Sequence, residues 1–92
     1  MARYSVRIKA SAAREIESIE PKKMRRLVVE RIERIGRLAD DPRPSGCEKL
    51  GGRSDRYRIR QRPYRVVYSI QDELLIVHVV KVGHRREVHR SR

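Results

Sequence analysis

From Tyr57 to Gly83 the hydrophobic and polar positions spell three consecutive antiparallel strands. Tyr57 and Ile59 alternate with Arg56, Arg58, Arg60 and Arg62, which puts the apolar residues on one sheet face and the arginines on the other. Pro63 lacks an amide donor and suits a turn. In the second run, Tyr64, Val66, Tyr68 and Ile70 point one way, and Arg65, Val67 and Ser69 the other. A four-residue connection from Gln61 to Tyr64 sets Arg60 opposite Arg65. Like charges facing each other across a hairpin are destabilising, and a cluster that costs stability usually has an anion to hold. The third run is apolar on both faces from Leu74 to Val80 and continues to Gly83, which predicts a central strand under a helical cover.

That cover has to come from upstream. Arg3 to Lys9 alternates, with Tyr4, Val6 and Ile8 on one face, and predicts a first strand with one buried side. Ser11 is the expected N-cap of a short helix whose Ala12, Ala13, Ile16 and Ile19 follow helical spacing to about Glu20. Pro21 suits the first position of a second helix. There Met24, Leu27, Val28, Ile32, Ile35, Leu38 and Ala39 recur at steps of three and four, one apolar stripe that Asp40-Asp41-Pro42 ends. Glu30 with Arg34, and Glu33 with Arg37, have the spacing of exposed ion pairs. Glu48-Lys49-Leu50 reads as a very short strand and Gly51-Gly52 as a turn. After Gly83 comes a short basic tail, residues 84 to 90. The expected fold is therefore α+β: a helical hairpin packed on one face of a mostly antiparallel four- to five-stranded sheet, in the order β-α-α-β-β-β, with arginines on the other face.

At 92 residues the chain is read as a single domain, residues 1–92, with room for one helical layer on one sheet. Against 12 Asp and Glu stand 24 Lys and Arg, a net charge of +12. Such a charge predicts an anionic partner, with nucleic acid ahead of membrane or acidic protein. No apolar run is long enough for a membrane span and no signal-peptide pattern is present. Cys47 is alone, which rules out a disulfide framework and fits a reducing cytoplasm. His78, His84 and His89 with one distant cysteine do not make a zinc site, so neither metal nor cofactor is expected. His78, inside the third strand, reads as a hydrogen-bonded structural residue and His84 as an exposed polar one. Tyr57, Tyr64 and Tyr68 share the apolar phase of their strands and are expected to fill the core. Arg56 and Arg62 read as solvated edge charges.

Lys49-Leu50-x-Gly52, Tyr57-Arg58-Ile59-Arg60, Tyr64-Arg65-Val66-Val67-Tyr68 and Val82-Gly83-His84-Arg85-Arg86-Glu87-Val88 together resemble the RelE/ParE superfamily of type II toxins, closest to the RelE branch. The resemblance spans nearly the whole chain. Its separate motifs are weak, but their order and spacing are specific. It implies a small toxin encoded with an antitoxin. RelE-type members enter the ribosomal A site and cut the messenger there. The ribose 2′-hydroxyl attacks the adjacent phosphate and no metal takes part. ParE-type members share the fold but poison DNA gyrase and do not cut RNA.

Cleavage of this kind needs a group to take the 2′-hydroxyl proton, cations to hold the charge of the phosphorane, and a donor for the leaving 5′-oxygen. Fixed cationic donors are usually the largest single term, and arginine's planar fork fits phosphate oxygens. By the resemblance, Arg65 occupies the place of the phosphate-binding arginine and Arg85 that of a second arginine at the transition state. Arg58 and Arg60 stand where the family often has lysine. An arginine does not give up its proton, so Arg60 is cast as an electrostatic stabiliser. Lys49 joins the RNA-phosphate contacts. His89 stands where the family commonly has tyrosine, and with an ordinary pKa of about 6.5 it is expected to serve as general base near neutral pH.

The expected function is a ribosome-dependent endoribonuclease in the cytoplasm, with ribosome, messenger and an acidic, partly disordered antitoxin as partners. Two other outcomes stay open: a ParE-like gyrase inhibitor, and a degenerate toxin that only binds its antitoxin.

Overall fold

Two helices lie on one face of a five-stranded mixed sheet. The computed structural model describes residues 4–36, 42–44, 46–51 and 55–84. In chain order the elements are β1 (Ser5–Ile8), α1 (Ala10–Glu17), α2 (Lys22–Gly36), β2 (Glu48–Lys49), β3 (Arg56–Gln61), β4 (Tyr64–Gln71) and β5 (Ile76–His84). The strand order is β1-β5-β4-β3-β2, with β1 parallel to β5 and the other neighbours antiparallel. The α+β class, the helical hairpin on one face and the upper strand count match the expectation from the sequence.

The core forms where the two periodicities meet. Ala12 and Ile16 of α1 and Val28, Ile32 and Ile35 of α2 cover Ile59, Val66, Tyr68, Ile70, Val77, Val79 and Val82 of the sheet. Burial of each large aliphatic residue there contributes about 1.5–3 kcal/mol. Tyr57 and Tyr68 stack with centroids 6.0 Å apart, and the buried Tyr68 hydroxyl donates to the Pro42 carbonyl at 3.0 Å. At the end of α2, a Cβ on Gly36 would run into Val6 Cγ2, and the Tyr4 N–H donates to the Gly36 carbonyl at 3.1 Å. Glycine thus lets the helix end lie against β1.

Several expectations are corrected. β5 is an inner strand between β1 and β4 under the helices, as expected, but the middle strand of the five is β4, which is buried on both faces from Arg65 to Ile70. Leu74 and Leu75 belong to the turn before β5. Leu74 is 65% exposed, and Leu75 has a left-handed φ of 55°. Ser11 does not cap α1: the helix begins at Ala10 after Lys9, whose N–H is held by the Val79 carbonyl at 2.9 Å. The parallel ladder therefore decides where the strand turns into the helix. The first helix stops at Glu17 rather than near Glu20, where the Ser18 hydroxyl donates to the Glu15 carbonyl at 2.8 Å. Ile8, expected inside, is exposed on the edge strand. Leu38, Ala39, Asp40, Asp41, Gly52 and the basic tail from Arg85 lie outside the described residues.

Candidate nucleic-acid interface

The β3–β4 hairpin builds the site. Its ladder pairs Tyr57 with Tyr68 and Ile59 with Val66 on the helix side. The period of two then sends Arg58, Arg60 and Arg65 to the open side, where Arg60 faces Arg65 and Arg58 faces Val67. Gln61 also pairs with Tyr64, so the reversal closes over Arg62 and Pro63 alone. A cleft of about 180 Å³ at this end is lined by Arg60, Arg62, Pro63, Tyr64 and Arg65. Arg60 is exposed, whereas Arg65 is only 9% exposed, an arginine held inside the sheet's open face.

One carboxylate reports the local field. Glu48 of β2 pairs with Arg58 across the ladder and accepts from its Nη2 at 2.8 Å and its Nε at 3.2 Å. The Arg58 hydrogen bonds and charge, helped by the charges of Arg60 and Arg65, hold the Glu48 carboxyl below its ordinary range. Three guanidinium groups from two strands therefore act on one spot. Reading the sequence did not single out Glu48, since only the β2–β3 pairing brings it beside Arg58.

Lys49 does not join this group. It pairs with Tyr57, whose ring faces the helices, so the register sends Lys49 to the opposite side from the three arginines. Arg85 and His89 lie outside the described residues. His84 ends β5 half-buried, edge-on to the Tyr64 ring at 5.9 Å between centroids, rather than exposed. Tyr64 is half-buried at the rim of the core. His78 is half-buried on the open face between Ser69 and Arg7, and its ring has no hydrogen-bond partner among the described residues. Cys47 packs half-buried on the core beside Tyr68.

The opposite end of the sheet has the opposite sign. A larger cleft of about 570 Å³ is lined by Asp55, Asp72 and Glu73 together with Arg43, Ile70, Gln71 and Leu74. Asp72 accepts from the Tyr4 hydroxyl at 2.6 Å and from Arg43 Nη2 at 2.7 Å. The Arg43 bond, then the Tyr4 bond, keep its carboxyl below the usual range, and the Asp72 bond raises the Tyr4 hydroxyl above its own. Arg43 also donates through Nε to the Tyr57 hydroxyl at 3.0 Å. These bonds tie β1, the 42–44 segment, β3 and the β4–β5 turn together. The acids would repel phosphate, so of these two clefts the one lined by arginines is the better suited to an anion. No helix among the described residues is long and apolar enough to cross a membrane.

Residues 6–89 match the family model described as ParE toxin of type II toxin-antitoxin system, parDE. No curated protein matches the chain by sequence. Among solved structures, the chain is similar to the toxin–antitoxin complex RelBE2 of Mycobacterium tuberculosis, at 28% identity and a TM-score of 0.76 over 92% of this chain and 94% of that one. It is similar to the archaeal RelE–RelB complex of Pyrococcus horikoshii, at 29% identity and a TM-score of 0.75 over 92% and 97%. A free-state mutant of the E. coli toxin RelE gives 26% identity and a TM-score of 0.75 over 97% and 90%.

Proposed function

The chain belongs to the ParE toxin family of type II toxin–antitoxin systems and has the RelE-like fold, and from that premise we propose that it is a ribosome-dependent endoribonuclease that cuts messenger RNA in the A site. The observation that carries the reading is the opposition of Arg60 and Arg65 across the hairpin, with Arg58 on the same face. A repulsive pair kept on a marginally stable domain is well suited to a phosphate that carries extra charge at the transition state. The 2′-hydroxyl oxygen attacks phosphorus, the bond to the 5′-oxygen breaks, and the departing oxygen takes a proton from water, which leaves a 2′,3′-cyclic phosphate and a free 5′-hydroxyl. Arg60, Arg65 and Arg85 hold the phosphorane. His89 takes the 2′-hydroxyl proton. So small a chain does not enclose its substrate, so the ribosome supplies the positioning. An antitoxin, as in the RelB-bound neighbours, would neutralise the basic face.

Primer extension on translated messengers after expression without antitoxin tests this. Cuts within codons that disappear with Arg65→Ala support it. The pH–rate profile should lose a limb in His89→Gln; a profile without any such limb removes His89 from the role of base. The match to the ParE toxin model favours a second reading, inhibition of DNA gyrase without cleavage. Intact messengers with an induced SOS response, retained when His89 and Arg85 are both changed, would select it.

A further inference from the structure

Glu15 on α1 reaches across to the end of β5. Its Oε1 accepts the Val82 N–H at 2.9 Å, and its Oε2 accepts from Lys81 Nζ at 2.8 Å. The topology explains why a side chain is needed there. The β1–β5 ladder runs only from Ser5–Ile76 to Ile8–Val79, so past Val79 the edge of β5 away from β4 has no strand beside it. A part-buried N–H on that edge needs an acceptor. The β4–β5 register also shifts at this point: Tyr68 faces Val79 but Val67 faces Lys81, which leaves Val80 as an extra residue. Such a bulge bends the strand and re-aims the residues beyond it. Glu15 grips the two residues directly after Val80. The next two are Gly83, which faces Arg65, and His84, which touches Tyr64; Arg85 comes next in the chain.

We propose that Glu15 is a positioning residue: it fixes the register of β5 beyond the bulge and so sets where Gly83 and His84 stand against Arg65 and Tyr64, and with them the phosphate that Arg65 holds. This rests on the nuclease reading and goes beyond it. Glu15 reaches the site only through the strand it holds, and its contribution is geometry. Misplacement of a charge-stabilising group by about 1 Å can cost 10²-fold in rate.

The test uses the full chain with ribosomes programmed with messenger, together with native-state hydrogen exchange. In Glu15→Ala, the maximal cleavage rate should fall about 10- to 100-fold while KM stays within about two-fold. Exchange at the Val82, Gly83 and His84 amides should quicken by about tenfold or more, with Val66 and Tyr68 keeping their protection. Glu15→Gln keeps an acceptor for the Val82 N–H and should restore most of the rate, and Lys81→Met, which leaves the carboxylate on that N–H, should stay within about three-fold of the unsubstituted chain. If Glu15→Ala does not fold, Glu15→Asp, one methylene shorter, should fold and show the same split in smaller measure. Unchanged exchange at Val82, or a rate loss matched by lost protection throughout the sheet, overturns the proposal. An unsubstituted chain that cleaves nothing overturns the nuclease reading and the catalytic role of Glu15 with it. That outcome is told apart from a failed clamp because exchange at Val82 is read without RNA.

Discussion

Replacing Arg60 with glutamine should make the protein more stable and less active at once. Arg60 and Arg65 are direct partners in the β3–β4 ladder. Two unit charges about 6 Å apart repel by about 0.7 kcal/mol at the dielectric of water and about 3 kcal/mol at an effective value of 20. Arg60 is exposed, which places the pair toward the lower figure, and Glu48 offsets part of it. Like-charged cross-strand pairs are expected to cost about 0.2–1 kcal/mol, so relief of about 0.5–1 kcal/mol is a fair expectation. For a 92-residue domain that raises Tm by about 2–8 °C. Thermal denaturation at low ionic strength measures it. The gain should shrink toward zero near 1 M salt, where the screening length is about 3 Å. Cleavage on programmed ribosomes should fall about 10²-fold, the usual loss when one charge-stabilising donor is removed. A Tm that falls, or does not move at low salt, would refute the idea that the cluster is held at a cost.

Asp72→Asn tests the junction of β1, the 42–44 segment and the β4–β5 turn. Asp72's folded carboxyl lies below its usual value of 3.8, so its contribution is fully present above that value and is lost as pH falls through the folded one. Urea midpoints of the unsubstituted protein should therefore drop below about pH 4 more steeply than those of the variant. Tyr68→Phe leaves the Pro42 carbonyl without its donor and should cost about 1–3 kcal/mol in chemical denaturation. Leu75→Gly relieves a left-handed φ and should raise Tm slightly, by the equivalent of up to about 1 kcal/mol less the burial its side chain gives up.

What could be read from the sequence was what local spacing encodes. The alternation of Tyr57, Ile59, Val66 and Tyr68 named the core face, and the short connection around Pro63 set Arg60 against Arg65. The helical stripe from Met24 to Ile35 likewise appears as α2. What escaped was set by partners far along the chain. Tyr4 meets Asp72 across 68 residues and Glu15 meets Val82 across 67, and neither acid carries a local pattern that announces its partner. Ser11 looked like a cap, yet the Lys9–Val79 hydrogen bond of the parallel ladder starts the helix two residues earlier. Leu74 and Leu75 extended an apolar run that the turn interrupts. Lys49 was misgrouped because a two-residue strand shows no alternation from which its face could be inferred.

The parallel pairing of Ser5–Ile8 with Ile76–Val79 has a consequence for biosynthesis. β1 is translated well before the strand it bonds to. No nascent chain that stops short of Ile76 can assemble its N-terminal border. A molecule still being made therefore lacks the finished sheet until β5 has emerged.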